Sequence, residues 1–143
     1  MKKQLKNLRN MTRINSDIDP KLLKRMHLLA ELREITMVPA SLQRSLSTQS
    51  KRAVLNGIPK KFTLNTGHVK FFYTRLTFLM NRFIRLCDEM ENRGYTPDRS
   101  RIVAFYGFDI EFYNDWTSTK EDDNIVHERI ALRISEKPHL YLD

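Results

Sequence analysis

Apolar residues recur at alternating spacings of four and three along residues 68–94, a pattern typical of one face of an amphipathic helix. The apolar positions are Phe72, Leu76, Leu79, Phe83, Leu86 and Met90. This face is predicted to pack into the core and not to stack on nucleobases. Arg75, Arg82 and Arg85 are predicted to lie on the exposed side, and Arg93 with Gly94 is predicted to end the helix.

A second helix is predicted from the run Met26 to Met37, which contains no Gly or Pro and follows the helix-start signal Asp19-Pro20. Helical spacing continues beyond Pro39 towards Leu55. The pattern therefore predicts one long helix that bends at Pro39.

One face of this helix carries charged and polar side chains at helical spacing. They are Lys24, His27, Glu31 and Glu34. From the pattern alone, this face is predicted to be solvated. A ribonuclease that uses His27 and Glu31 as acid and base is the weakest alternative, because two such groups often share a helix by chance.

The C-terminal third predicts one further helix, with Asn124 as its N-cap and its end before Pro138. Residues 117–123 are predicted to form a surface loop before it. Aromatic and acidic residues fill the stretch 95–116, in which Phe108, Ile110 and Phe112 alternate as in a brief strand.

Charge narrows the choice of partner. The 143 residues include 25 Lys and Arg against 17 Asp and Glu, which gives a formal charge of +8 and an isoelectric point near 9.8. The positive charge predicts a polyanionic partner, and nucleic acid is favoured over an anionic membrane surface. The single Cys87 and the absence of a signal peptide or a long apolar run predict a cytoplasmic location.

No metal or cofactor is expected from the residue pattern. Four His and one Cys are scattered and lack the spacing of a zinc site. Asp109, Glu111 and Asp115 are acidic but lack the supporting motif of a two-metal nuclease.

Residues 1–11 are predicted to form a basic N-terminal arm, with residues 12–143 as the folded domain. The arm contains Lys2, Lys3, Lys6 and Arg9 and no acidic residue.

Three segments resemble, in the same order, parts of the pyrimidine-dimer DNA glycosylase family that includes endonuclease V of the T-even phages. They are MTRIN at residues 11–15, HLLAELREI at 27–35 and GHVKFFYTRLTFL at 67–79. The similarity extends, with gaps, from Thr12 to about Lys137. A phage source, and hence the cytoplasm of its host, is the corresponding expectation.

The resemblance implies an all-α fold, a single compact domain of three main helices with irregular connecting loops. The N-terminal segment would pass between the first and last helices, so that Thr12 reaches Glu34. In the family's chemistry, the α-amine of Thr12 would attack C1′ of the damaged nucleotide and displace the base as a Schiff base forms. Glu34 would stabilise that imine and assist β-elimination, giving AP-lyase activity at UV-induced pyrimidine dimers.

The resemblance also implies contacts with double-stranded damaged DNA by a monomer. Arg13 and Arg33 would bind phosphates beside the lesion. His27, Arg44 and Lys137 are further predicted DNA contacts. Met37 replaces a family Arg and Leu32 replaces an aromatic residue, which leaves a preference for other lesions or for abasic sites open. His68 is predicted to be buried and hydrogen-bonded, without a catalytic role.

Thr12 presents a conflict, because the family's nucleophile is a free N-terminal amine. If Met1 begins the working protein, the nitrogen of Thr12 is an amide and cannot form a Schiff base. Translation from Met11 is the favoured alternative; cleavage of the arm and loss of the lyase chemistry are the others. The last corresponds to a non-catalytic basic DNA-binding protein of the same fold.

Overall fold

A computed structural model describes residues 14–142 and contains, within that range, six α-helices and no strand. The helices are α1 (Arg25–Glu34), α2 (Met37–Thr48), α3 (Lys51–Asn56), α4 (His68–Phe71), α5 (Leu76–Asn92) and α6 (Lys120–Glu136). Short 3-10 helices and irregular loops connect them. The prediction of an all-α fold in a single compact domain is confirmed.

The apolar face predicted for residues 68–94 is buried along its whole length. The helix itself is interrupted, because Arg75 leaves helical geometry at φ −133° and ψ 39° between a 3-10 turn and α5. Its C-terminal cap is as predicted: Gly94 has φ +91°, and Tyr95 N–H donates to the carbonyl of Met90 at 2.9 Å. The exposure predicted for Arg82 is wrong, since only 1% of this residue is exposed.

The single bent helix predicted around Pro39 is also wrong. The chain forms three helices there, with breaks after Glu34 and after Thr48. Pro39 lies in the first turn of α2, where the missing N–H leaves no intrahelical bond unmade. The proline therefore follows a helix start and does not bend a continuous helix.

Two predictions for the C-terminal third are wrong. Residues Ile110–Phe112 form a 3-10 helix in which Phe112 is buried while Ile110 is 83% exposed. Helix α6 begins at Lys120, inside the predicted loop and four residues before the predicted cap. Thr119 caps it through a reciprocal pair of hydrogen bonds with Asp122.

An aromatic cluster beneath α4 and α5 fixes the loop that precedes α4. Its members pack mainly edge to face at centroid separations of 5.0–6.1 Å. They are Phe62, Phe71, Phe72, Phe78 and Trp116. Phe72 belongs to the face predicted as core and is fully buried, as expected, and the cluster holds His68 at its edge.

Replacing Gly94 with Ala is expected to lower the free energy of unfolding by about 1 kcal/mol, because an L side chain is strained at positive φ. Gly57→Ala is the matched control, since Gly57 has φ −89° and the added Cβ would lie 3.5 Å from its nearest neighbour. Urea unfolding of both variants measures the difference. Equal stability of the two variants would contradict the assignment of the cap.

Candidate active site

The first described residues, 14–18, form an N-terminal segment held by side chains from four helices. The backbone N–H of Ile14 donates to Nε2 of His68 on α4 at 2.9 Å. Ser16 adopts φ +55° and donates from Oγ to a carboxylate oxygen of Asp123 on α6 at 2.7 Å. The segment is therefore held in the interior of the protein by hydrogen bonds from its backbone and side chains.

Asn15 bridges the first and last helices from within this segment. Its side-chain nitrogen donates to Oε1 of Glu31 on α1 at 2.7 Å. Its side-chain oxygen accepts a hydrogen bond from the guanidinium of Arg129 on α6. All three residues are buried. The side chain of Asn15 thus sets the position of the backbone between α1 and α6.

Glu31 and Arg82 form a bidentate ion pair with no exposed side-chain surface. Nε of Arg82 lies 2.6 Å from Oε2 of Glu31, and an Nη atom lies 2.9 Å from Oε1. The second Nη of Arg82 donates to the carbonyl of Ile18 at 2.6 Å. Burial opposes the charge of Arg82, but the neighbouring Glu31 carboxylate outweighs it and raises the pKa of Arg82.

The solvated face predicted for α1 is therefore wrong at Glu31 and at His27. Glu31 faces inward to meet Arg82, and the ring of His27 stacks on Tyr141 at 4.5 Å and 15°. Only 4% of His27 is exposed. With both groups buried in packed contacts, the arrangement does not support the ribonuclease alternative.

His68 is buried and hydrogen-bonded, as predicted. Because Nε2 accepts from Ile14, Nδ1 bears the proton and donates to the carbonyl of Thr63 at 2.8 Å. Burial, with the nearby charge of Arg129, lowers the pKa of His68 to about 3. A neutral ring at this position is the acceptor that Ile14 requires.

The predicted site residues fall into two groups. Thr12 and Arg13 lie outside the described residues, directly before Ile14. Arg33 is exposed and Glu34 is half-buried in the last turn of α1, one turn beyond Glu31. The structure thus places the end of α1 next to the turn that binds Asn15.

Arg44 and Lys137 lie apart from this network. Arg44 is exposed within α2, and Lys137 is exposed at the C-terminal cap of α6. Within residues 14–142, no three His, Cys, Asp or Glu side chains are grouped closely enough to hold a metal ion. No helix in that range is long and apolar enough to cross a membrane.

Sequence reasoning missed the buried roles of Asn15, Glu31, Arg82 and Arg129. A signal was present for Arg82, which lies three residues after Leu79 and four before Leu86, at helical spacing within the apolar seam. A charged residue at such a position requires a buried partner of opposite charge. That partner, Glu31, lies 51 residues away and could not be identified from spacing.

Comparison with known protein families identifies the family to which the chain belongs. A family model described as pyrimidine dimer DNA glycosylase matches residues 11–103. The matched region covers more than half of the chain and includes Asn15, Glu31, His68 and Arg82, whereas Arg129 lies beyond it. The protein belongs to the pyrimidine dimer DNA glycosylase family.

Glu31→Gln is expected to lower the free energy of unfolding by about 3–5 kcal/mol, because it leaves the charge of Arg82 buried without its counter-ion. Asp17→Asn is the matched control. Its ion pair with Arg85 spans 2.6 Å, but both side chains are 43% exposed, so the expected loss is below about 1 kcal/mol. Denaturant unfolding measures both variants.

The double variant Glu31→Leu with Arg82→Met should be more stable than Glu31→Gln alone, since it removes both buried charges. If Glu31→Gln were as stable as the Asp17→Asn control, the ion pair between Glu31 and Arg82 would not contribute to the free energy of unfolding.

Acid should destabilise the fold partly through His68. Between its unfolded pKa of about 6.5 and its folded value of about 3, the unfolded chain binds a proton that the folded protein excludes. Stability due to this group is therefore present above pH 6.5 and is lost as the pH falls, by at most about 1.4 kcal/mol per pH unit.

Unfolding measured between pH 6 and 4 should show a shallower pH dependence for His68→Gln than for the unsubstituted protein. His127→Gln, which changes an exposed ring on α6, should keep the full slope. Identical slopes for His68→Gln and the unsubstituted protein would exclude a buried neutral His68.

Proposed function

We propose that this member of the pyrimidine dimer DNA glycosylase family also cleaves the abasic strand, with the Thr12 α-amine as nucleophile and Glu34 as its catalytic carboxylate. The observation on which the proposal rests is the hydrogen bond from Asn15 to Glu31. It fixes the chain three residues after Thr12 against the turn of α1 that precedes Glu34.

Simple chain geometry makes the pairing feasible. Three residues of extended chain span at most about 10 Å, which limits the separation of Thr12 from Asn15. Glu34 lies three residues beyond Glu31, about 4.5 Å farther along the helix axis. These lengths are compatible with a Thr12 amine close to the Glu34 carboxylate.

The chemistry suits an α-amine better than a Lys side chain. An α-amine has a pKa of about 7.7–8.0 against about 10.4 for Lys, so far more of it is unprotonated near neutral pH. The nitrogen forms a bond to C1′ as the glycosidic bond breaks, and the leaving base takes up a proton. Opening of the sugar ring then gives a protonated imine, whose positive charge Glu34 would stabilise.

Strand cleavage would follow by β-elimination. A base removes a proton from C2′, the electron pair forms a C2′–C3′ double bond, and the 3′ phosphate leaves. Glu34 is our candidate for the proton transfers of this step. Because the carboxylate interacts with the imine and not with the intact backbone, its loss should slow the chemistry more than it weakens DNA binding.

Arg13 and Arg33 flank the two catalytic residues in sequence and would bind the phosphates around the lesion. Arg44 and Lys137 are exposed and would make outer phosphate contacts. We do not extend this role to His27, because Tyr141 covers its ring. Met37, just beyond Glu34, is 51% exposed. It replaces a family Arg, so an apolar side chain lies where the family would place a phosphate contact. This replacement favours a lesion preference different from that of the family.

The chemistry requires a free amine on Thr12. The family match begins at Met11, so removal of one initiator Met from a chain started there would supply it. A non-catalytic DNA-binding protein is the second candidate, favoured by the ten residues that precede Met11 in the sequence. In a chain that retains them, the nitrogen of Thr12 is acylated.

Borohydride trapping on dimer-containing and abasic duplexes should give a covalent adduct with a protein that begins at Thr12 and none with residues 1–143. In the Thr12 form, Glu34→Gln is expected to lower the trapping rate by about 10²–10³-fold, as for loss of one preorganised stabilising group, with little change in affinity. Glu121→Gln, an exposed carboxylate on α6, is the control.

Absence of an adduct from both forms, with DNA binding intact, would replace the enzyme proposal with the binding-protein alternative. Equal trapping by both forms would assign the nucleophile to a Lys side chain instead of Thr12.

A further inference from the structure

A single guanidinium binds the end of α1 from outside the helix. Nη1 of Arg101 donates to the carbonyl of Leu32 at 3.1 Å, and Nη2 donates to the carbonyl of Arg33 at 2.9 Å. The same Nη2 lies 2.6 Å from the side-chain hydroxyl of Thr36. These contacts surround Glu34 on both sides along the chain.

The carbonyls involved are those that a helix end leaves without intrahelical donors. Helix α1 ends at Glu34, and the N–H of Ile35 donates to the carbonyl of Glu31 at 2.8 Å. Arg101 donates to the next two carbonyls, those of Leu32 and Arg33. A planar guanidinium can bind two carbonyls at once, and its positive charge is favourable at a helix C-terminus.

Arg101 is itself held by the 3-10 helix Arg99–Phe105, here called the bracing helix. Phe105 is fully buried and packs on Phe83 of α5 at a centroid distance of 6.2 Å. The Asp98 side chain caps its start by accepting from Ser100 N–H at 3.1 Å. The bracing helix therefore connects the end of α1 to the rigid core helix α5.

We propose that Arg101 is a positioning residue for the active site, which fixes the last turn of α1 and with it the direction of the Glu34 carboxylate and the Arg33 guanidinium. The inference rests on the proposed function. Arg101 touches neither DNA nor the reacting atoms in this role. It acts by holding the peptide groups that bear the two site residues.

The physical consequence of its loss follows from helix-end energetics. Without Arg101, the carbonyls of Leu32 and Arg33 would accept hydrogen bonds from water. The last turn of α1 would then fray. Displacing a catalytic group by about 1 Å can reduce a rate by about 10²-fold. The rate should fall while the affinity for DNA changes little.

The test uses the protein that begins at Thr12, with Arg101→Met and the matched variant Arg99→Met. Arg99 lies in the same bracing helix, but it pairs with Asp88 and Glu91 of α5 in exposed contacts. Both variants lose one positive charge, so a purely long-range effect of charge on DNA would appear equally in both. Single-turnover trapping on an abasic duplex at saturating protein separates the rate from binding.

We expect Arg101→Met to trap at least about 10-fold more slowly than Arg99→Met at equal DNA affinity. Hydrogen exchange of the amides in residues 32–37 should accelerate in Arg101→Met alone. Arg101→Lys keeps the charge but lacks the planar fork, so its rate should remain closer to that of Arg101→Met.

Equal trapping rates for Arg101→Met and Arg99→Met would overturn this inference and leave the proposed function intact. Full activity of Arg101→Lys would also overturn it, in favour of a simple effect of charge. No trapping by the unsubstituted Thr12 form would overturn the proposed function and this inference together.

If Arg101→Met does not fold, Thr36→Val provides a milder test, because it removes one of the three contacts of Arg101. This variant should fold and should trap more slowly. An unchanged rate would contradict the inference.

Discussion

The buried ion pair between Glu31 and Arg82 is the constraint on which the rest of the structure depends. Two charges without exposed surface are costly unless their remaining donors and acceptors are satisfied. The N-terminal segment supplies two of those partners, the Asn15 amide and the Ile18 carbonyl. The same hydrogen bonds therefore satisfy the buried charges and position the N-terminal segment. We expect the ion pair and the segment to become ordered together during folding.

This coupling has a consequence for a catalyst placed at a chain end. The first residues of most domains are poorly ordered unless other elements hold them, and an unanchored amine cannot be aligned with a substrate. Hydrogen bonds to His68, Glu31 and Asp123 hold residues 14–16 from three sides. The proposed nucleophile, Thr12, comes two residues before the anchored Ile14 in the sequence.

Local patterns predicted a good part of the fold but little of the network around the site. The α5 seam and the Gly94 cap followed from short-range spacing, whereas the burial of His68 was predicted at a position that matches the family motif. The pair of Glu31 with Arg82 and that of Asn15 with Arg129 span 51 and 114 residues, so no local pattern connects them. Pro39 and Thr119 show a further limit, because each is compatible with a different helix boundary from the one predicted. The catalytic assignment of Thr12 and Glu34 came from resemblance to the family and stays a prediction.

The central claim is that the clamped N-terminal segment presents the Thr12 α-amine to the substrate. The most direct test is to trap the protein that begins at Thr12 on an abasic duplex with borohydride, digest the adduct and locate the modified residue by mass spectrometry. The account predicts that the sugar fragment is attached to the α-nitrogen of Thr12, and that Asn15→Leu greatly reduces its yield. Attachment to a Lys side chain, or an undiminished yield at Thr12 in Asn15→Leu, would contradict the account.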